Sequence, residues 1–91
     1  MVDKVAVGQV IRGLRTEAGL LQKTLARQAG IAIPRMNGIE RGRYCPTVYE
    51  IGLISTALRC PPFRILMTQG QWDAFEKGTR RNGRTGRAVR H

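Results

Sequence analysis

Apolar residues near the start of the chain recur at the spacing of one face of an α-helix. They follow the i, i+3, i+4, i+7 pattern at Val7, Val10, Ile11 and Leu14. Asp3 lies before this stretch as a candidate N-cap, and Gly19 lies after it as a candidate stop. The pattern therefore predicts a first helix that buries one face.

Four further helical segments follow, separated by glycine and proline. They are Leu21–Gln28, Ile33–Arg41, Val48–Leu58 and a short helix that starts at Pro61–Pro62 and runs through Met67. Thr47 and Glu50 have the spacing of a capping box at the fourth helix, whose apolar stripe is Val48, Ile51, Ile54 and Leu58. A last short turn is predicted over Gln71–Lys77. Because no segment alternates apolar and polar residues as a strand does, we predict an all-α domain of five helices.

The second and third predicted helices are joined by residues with a defined spacing. If Gln22 is the first position, then Ala26 is fifth, Gly30 ninth, Met36 fifteenth and Ile39 eighteenth. The alanine lets two helices approach, the glycine permits positive φ, and the last two residues anchor the third helix to the core. With Glu-Arg-Gly following at 40–42, this spacing resembles the helix-turn-helix of the Cro/repressor (XRE) family of phage-repressor-like regulators.

The resemblance implies a five-helix, lambda-repressor-like fold that binds double-stranded DNA through residues 22–41. The third helix, 33–41, would enter the major groove while the second crosses the DNA backbone. The residues implied to contact bases are Ile33, Pro34, Arg35, Asn37 and Gly38. The residues implied to contact phosphates are Gln22, Lys23, Arg41 and Arg43. Asn37 is suited to adenine, and Arg35 to guanine N7 and O6, by bidentate hydrogen bonds.

Several positions depart from the family's pattern. Leu21 and Ala32 stand where a polar residue usually caps the second and third helices, and a lost cap typically costs about 1 kcal/mol. Ile33 and Pro34 cannot hydrogen-bond a base edge through their side chains, so we expect them to touch thymine methyl groups. Gly38 occupies a position that often carries a long side chain, and we expect it to let the helix sit closer to the groove.

The resemblance also implies an ion pair between Arg15, at the end of the first helix, and Glu40, at the end of the third. A buried pair would fix the packing of the two helices, and removing one partner would cost roughly 3–5 kcal/mol. We therefore expect Glu40 to be structural rather than catalytic.

Large apolar residues continue after the fourth helix, at Phe63, Leu66, Met67, Trp72 and Phe75. They are too many for a small end cap to hide, and such residues favour a subunit interface. We therefore expect a homodimer through a region at about 61–77. The alternative is that Trp72 and Phe75 fold back to complete the core of the monomer.

The chain is strongly basic, with 16 Lys and Arg against 6 Asp and Glu and a formal net charge of +10 over 91 residues. From Lys77 onward there are six basic residues and no acidic ones, with glycines at 78, 83 and 86. We predict a domain over 1–77 and a flexible basic tail over 78–91. The tail either solvates the terminus or binds phosphates without sequence preference.

Several classes of protein are disfavoured by what the chain lacks. No apolar run approaches the roughly 20 residues of a membrane-spanning helix, and no export signal follows Met1. We therefore expect a cytoplasmic protein, with no membrane association, in which Cys45 and Cys60 stay reduced. The single histidine, His91, and two separated cysteines form no set of zinc ligands, and no Ser/His or Cys/His relay is evident. We expect no catalytic residue, metal or cofactor.

Three hypotheses for the function follow. The first is a dimeric, sequence-specific regulator, a repressor or autorepressor of a phage, mobile element or small operon, bound to an inverted-repeat operator. The second is an antitoxin or antiactivator that uses the same fold to hold another protein, such as a toxin; contact with RNA polymerase also stays open. The third is a nonspecific nucleic-acid binder that depends on the basic tail.

Overall fold

The computed structural model describes residues 3–68 and 70–78, and all regular structure in these ranges is helical. The first five helices are α1 (Lys4–Glu17), α2 (Gln22–Ala29), α3 (Ile33–Glu40), α4 (Val48–Leu58) and α5 (Pro62–Ile65). Residues 70–78 are also helical and form α6. The predicted all-α class is thus confirmed. Residues 79–91 of the predicted basic tail lie outside the described residues.

Local sequence fixes most helix ends. Asp3 caps α1 by accepting a hydrogen bond from the Val5 N–H at 3.0 Å. At α4 the Thr47 hydroxyl accepts from the Glu50 N–H at 3.0 Å while the Glu50 carboxylate accepts from the Thr47 N–H at 2.9 Å, which is the predicted capping box. Gly30 ends α2 with a positive φ of 72°. By contrast, α2 and α3 start without a side-chain cap, as their sequence predicts.

Helix α6 is longer than the predicted last turn. The Thr68 hydroxyl accepts a hydrogen bond from the Gln71 N–H at 3.2 Å, and the Gln71 side-chain oxygen accepts from the Thr68 N–H at 3.0 Å. This reciprocal pair is a second capping box, since glutamine replaces glutamate in that motif without loss of the bond. It starts a helix where the sequence reading placed only a turn.

The core lies where the first four helices meet α5. Its buried apolar members are Val7, Ile11, Leu25, Ala26, Ala29, Ile31, Met36, Ile39, Ile51, Ile54 and Ile65. One predicted stripe residue is misplaced, because Val48 is 87% exposed while Ile51 and Ile54 are buried. Val48 is the first residue of α4, and this end of the helix projects beyond the core. No helix within the described ranges is long and apolar enough to cross a membrane.

Helix α1 approaches α3 very closely at Gly8. A Cβ atom on Gly8 would lie 2.8 Å from the Glu40 carbonyl oxygen and would overlap the carbonyl oxygen of Ile39. A glycine inside a helix costs about 1 kcal/mol relative to alanine, but here it lets two backbones touch. The contact sets the position of the C-terminal end of α3 on the domain.

Candidate nucleic-acid interface

One edge of α3 faces away from the core and carries three of the predicted base-contacting residues. Ile33 is 41% exposed, Pro34 is exposed and Asn37 is half-buried. They share this edge because residues three and four apart lie on the same face of a helix. Arg41, the C-cap of α3, continues the edge and is exposed.

The basic side chains predicted to hold phosphates are exposed. Lys23 on α2 and Arg43 after α3 are exposed. The backbone near Arg43 is tied to α1, since the Lys4 ammonium donates to the Arg43 carbonyl at 3.4 Å. The structure thus leaves Lys23, Arg41 and Arg43 exposed, on α2, at the C-cap of α3 and just after it.

A polar cleft of about 220 Å³ opens between α1, α2 and α3, lined by Arg12, Arg15, Gln22, Asn37, Glu40 and Arg41. Arg12 was not among the predicted contact residues. The signal was present in the sequence, because Arg12 is three residues before Arg15 and so shares its face of α1. Once Arg15 is assigned to Glu40, Arg12 is expected beside them.

Arg15 and Glu40 are brought together at the base of this cleft. The Arg15 Nε donates to Glu40 Oε2 at 2.7 Å and its Nη2 donates to Glu40 Oε1 at 3.0 Å. Its Nη1 donates to the Leu20 carbonyl at 2.9 Å. The Glu40 side chain is only 3% exposed. A buried carboxylate held in this bidentate way ties the end of α1 to the end of α3.

Gln22, predicted to contact a phosphate, is half-buried and bonded within the protein. Its Nε2 donates to Glu40 Oε1 at 3.1 Å, and its Oε1 accepts from Asn37 Nδ2 at 3.2 Å. Both polar atoms of the Gln22 side chain therefore have partners on α3. Gln22 links the buried ion pair to Asn37 on the open edge.

Arg35 is positioned differently from the predicted guanine reader. Its Nε and Nη2 donate to the Glu50 carboxylate at 3.0 and 2.9 Å, and its guanidinium lies 5.1 Å from the centre of the Tyr44 ring. These hydrogen bonds hold the pKa of the Glu50 carboxyl below its usual value and raise that of Arg35. Because the Arg35 guanidinium is hydrogen-bonded to Glu50 on α4, it is directed away from the open edge of α3.

Gly38 is also not on the open edge, which corrects the expectation that it is exposed to the groove. It is buried, and a Cβ atom there would overlap the ring of Tyr44. The reason is that Gly38 lies three residues after Arg35 and therefore faces the same segment before α4. Neither Tyr44 nor Glu50 was predicted beside α3. The capping box identifies Glu50 as a helix start, but no local pattern indicates its partner on α3.

The predicted interface residues lie on α5 and α6 and their connection. Phe63, Trp72 and Phe75 pack on one another, with ring centres 5.4–6.0 Å apart. Phe63 and Phe75 remain 43% and 40% exposed, Leu66 is exposed, and Met67 and Trp72 are half-buried. The Arg64 guanidinium lies over the Trp72 ring, 4.9 Å from its centre. The three rings form one cluster that keeps an apolar face open.

Comparisons with known proteins agree with this architecture. The sequence profile of the family described as helix-turn-helix (HTH_3) matches residues 11–65. The chain is 32% identical over 83 residues to the transcriptional regulator ClgR of Mycobacterium tuberculosis (strain CDC 1551 / Oshkosh), a match that spans 91% of this chain and 74% of that protein.

Solved structures show the same fold. The restriction-modification controller protein C.AhdI from Aeromonas hydrophila has a TM-score of 0.68 and 38% identity, covering 69% of this chain and 96% of that one. The clp gene regulator ClgR from C. glutamicum has a TM-score of 0.67 over 72% of this chain and 86% of that one, and at 21% identity it shows the fold alone.

Within the described residues, no group of three or more His, Cys, Asp or Glu side chains is placed to hold a metal ion. The resemblance predicted from the spacing at 22–42 is confirmed by the family profile and by the relatives. The chain belongs to the helix-turn-helix (HTH_3, XRE-type) family and is a transcriptional regulator with a helix-turn-helix DNA-binding fold.

Proposed function

We propose that this protein is a homodimeric, sequence-specific repressor that inserts α3 into the major groove of an inverted-repeat operator in the cytoplasm. The observation that carries the proposal is the open edge of α3. There Ile33, Pro34 and Asn37 share one face, while Lys23 on α2 and Arg43 after α3 are exposed. Apolar and amide side chains on the edge would read thymine methyl groups and adenine, while the basic residues would hold phosphates.

Fewer residues would contact bases than the family resemblance alone implies. Arg41 and Arg12 would approach phosphates from the cleft, together with Lys23 and Arg43. Arg35 would not read guanine while Glu50 holds it. Sequence preference then depends on few side chains, so two half-sites acting together would be needed for a specific complex.

The open apolar face of α5 and α6 supports the dimer. Phe63 and Phe75 each leave about two-fifths of their surface exposed, and exposed aromatic residues of this kind are enriched in subunit interfaces. A two-fold dimer would place two α3 helices about 34 Å apart, the distance of one DNA turn. Dimerisation through 61–77 is therefore part of the proposal, with 22–41 as the DNA-binding element.

Autoregulation is proposed from the relatives. C.AhdI is a restriction-modification controller protein, and the ClgR proteins are transcriptional regulators. A small regulator of this family is suited to controlling a phage, a mobile element or a small operon that includes its own gene.

The test is a fluorescence-anisotropy titration with the DNA upstream of the protein's own gene and with a scrambled duplex, each at several salt concentrations. We expect tight binding to the native duplex with two protomers per site. Equal, steeply salt-dependent binding to both duplexes would contradict sequence-specific autoregulation. Repeating the titration on a chain ending at Lys77 shows whether binding depends on the basic tail.

The dimer is tested by sedimentation equilibrium of Phe63→Asp against Tyr49→Asp. Tyr49 is a matched control, because it is an aromatic residue that is 76% exposed on α4 and far along the chain from the cluster. We expect Phe63→Asp to shift the protein to monomer and to weaken operator binding. A dimer that persists in Phe63→Asp, or dissociates in Tyr49→Asp, would contradict the assigned interface.

A second function, a protein-interaction module of the antitoxin or antiactivator type, is favoured by the apolar start of the helix-turn-helix. Leu21 is 62% exposed and Ile33 is 41% exposed. If neither duplex binds, this second function replaces the first, and a protein partner would then protect the α3 edge from labelling.

A further inference from the structure

A continuous chain of four hydrogen-bonded side chains runs from the core to the open edge of α3. It begins at Arg15, passes through Glu40 and Gln22, and ends at Asn37. We infer that Glu40 and Gln22 are positioning residues that fix the orientation of the Asn37 carboxamide and so make this position of the operator select adenine. The inference rests on the proposed function, since it names how one base of the operator is recognised.

Charge dictates the direction of every hydrogen bond in this chain. The Arg15 guanidinium can only donate, and the ionised Glu40 carboxylate can only accept. Gln22 must therefore turn its amide nitrogen toward Glu40, as the Nε2 to Oε1 distance of 3.1 Å records. A reversed Gln22 would place its carbonyl oxygen against a carboxylate that is 3% exposed, where water gives little screening.

The orientation of Gln22 then decides that of Asn37. With its nitrogen committed to Glu40, Gln22 presents its carbonyl oxygen to α3. Asn37 can bond that oxygen only through its amide nitrogen, and Nδ2 lies 3.2 Å away. One N–H of Asn37 is thus directed inward, and the amide keeps its carbonyl oxygen and its second N–H for the open edge.

The free carbonyl oxygen and second N–H of Asn37 form the acceptor and donor pair that recognises adenine. Adenine presents an acceptor at N7 and a donor at N6 in the major groove, whereas guanine presents two acceptors at N7 and O6. An amide held in one orientation meets adenine with its donor and acceptor already placed. An amide that can turn over offers the reversed order as well, so part of the discrimination is lost.

A positioning role and a phosphate-anchoring role for Gln22 predict different effects on DNA binding when Gln22 is substituted. A residue that only anchors a phosphate lowers affinity for every sequence by the same factor. A residue that orients Asn37 lowers the preference for one base at one position. Lys23, the next residue on α2, is the matched control, because it is exposed and lies outside the hydrogen-bonded chain.

The experiment begins with selection of a half-site from a random duplex library by the wild-type protein, followed by replacement of each base in turn. The ratio of Kd values for adenine and for each other base is then measured for wild type, Asn37→Ala, Gln22→Met and Lys23→Met. Because each ratio is taken within one variant, a partly unfolded preparation changes both Kd values equally and leaves the ratio unaltered.

We expect wild type to prefer adenine at one position by roughly 10- to 100-fold, the usual range for a bidentate pair. Asn37→Ala should abolish that preference, and Gln22→Met should lower the wild-type ratio several-fold, at the same position only. Lys23→Met should weaken all duplexes equally. A uniform loss in Gln22→Met, with the adenine ratio kept, would overturn the inference and make Gln22 a phosphate anchor while leaving the proposed function standing.

A measurement without DNA separates the two hypotheses further. The side-chain ¹⁵N order parameter of Asn37 should fall in Gln22→Met and stay at its wild-type value in Lys23→Met. An Asn37 carboxamide that is equally ordered in wild type and Gln22→Met would overturn the positioning role. A wild-type protein that binds all sequences alike would instead overturn the proposed function, and the base selection with it.

Discussion

Helix α3 is held on two sides by an arginine–glutamate pair, and the two pairs differ in their exposure to water. On the α1 side Arg15 and Glu40 are 15% and 3% exposed. On the α4 side Arg35 and Glu50 are 34% and 16% exposed. Both pairs are short and bidentate, yet water can replace the hydrogen bonds of the second pair far more easily than those of the first. The hydrogen-bond distances alone therefore do not show which pair contributes more to the stability of the fold.

Each side also has a glycine at a close approach, and again the surroundings differ. Gly8 lies against the backbone carbonyls at the end of α3, which cannot move without moving the helix. Gly38 lies under the ring of Tyr44, an exposed side chain that can swing into solvent. The close approach on the α1 side is thus to backbone, and the one on the α4 side is to a single side chain.

The largest expected difference is between Glu40→Gln and Glu50→Gln. Glu40→Gln leaves the Arg15 charge buried without its counter-charge, so we expect a loss of roughly 3–5 kcal/mol in the free energy of unfolding. Glu50→Gln should cost much less, because the Arg35 charge can be solvated. Urea-induced unfolding followed by circular dichroism measures both, with Glu17→Gln on the exposed end of α1 as the control. Equal losses from the two substitutions would contradict the contrast between the sides.

The next largest effect is expected at Gly8. Gly8→Ala forces the α1 and α3 backbones apart, and such overpacking should cost roughly 1–3 kcal/mol despite the better helix propensity of alanine. Gly13→Ala in the same helix is the matched control, because apart from the adjoining backbone of α1 its added Cβ would meet nothing within 4 Å. There we expect a gain of up to about 1 kcal/mol. Thermal denaturation should show melting temperatures that move in opposite directions, and a shared direction would argue against the close approach.

The two sides also differ in how much of them the sequence predicts. The α1 side follows from the spacing of a known motif, which places Ala26, Gly30, Met36 and Ile39 and implies the pairing of Arg15 with Glu40. The positive φ of Gly30 and the capping box at Thr47 are equally local, since each depends on residues a few positions apart. Even the unpredicted start of α6 was readable, as Thr68 and Gln71 have the capping-box spacing.

The α4 side could not be predicted, because it depends on the path of the chain between α3 and α4. Arg35 and Glu50 are fifteen residues apart. From the local sequence, Arg35 is an ordinary basic residue of a helix surface and Glu50 is the capping-box residue of α4. They meet only because the turn at Gly42, with φ of 77°, returns the chain so that Tyr44 covers Gly38. The expectation of an exposed Gly38 was wrong for this reason, and the bond between Arg35 and Glu50 could not be foreseen.

A smaller effect is expected from the packing of the Tyr44 ring against Gly38. In the wild-type background Gly38→Ala must displace the Tyr44 ring, which offsets the gain in helix propensity. In a Tyr44→Ala background that obstacle is gone, and the same change should stabilise the protein by about 0.5–1 kcal/mol. A double-mutant cycle of unfolding free energies gives the coupling between the two residues. If Gly38→Ala has the same effect in both backgrounds, the ring does not constrain this position.

The smallest expected effect is the pH dependence of the Arg35–Glu50 pair. Hydrogen bonds from Arg35 hold the pKa of the Glu50 carboxyl below its usual value in the folded protein, while the unfolded chain has a value of about 4.3. A lowered folded-state pKa means that the pair's contribution is complete at pH values above the unfolded pKa and is lost as the pH falls through the folded one. The difference in unfolding free energy between wild type and Glu50→Gln should therefore be constant from neutral pH down to about pH 5 and shrink below it. Glutamine keeps an oxygen that can accept from the Thr47 N–H, so the comparison isolates the charge. A difference in unfolding free energy that stays constant down to pH 3 would show that the α4 side is held by packing rather than by the ion pair.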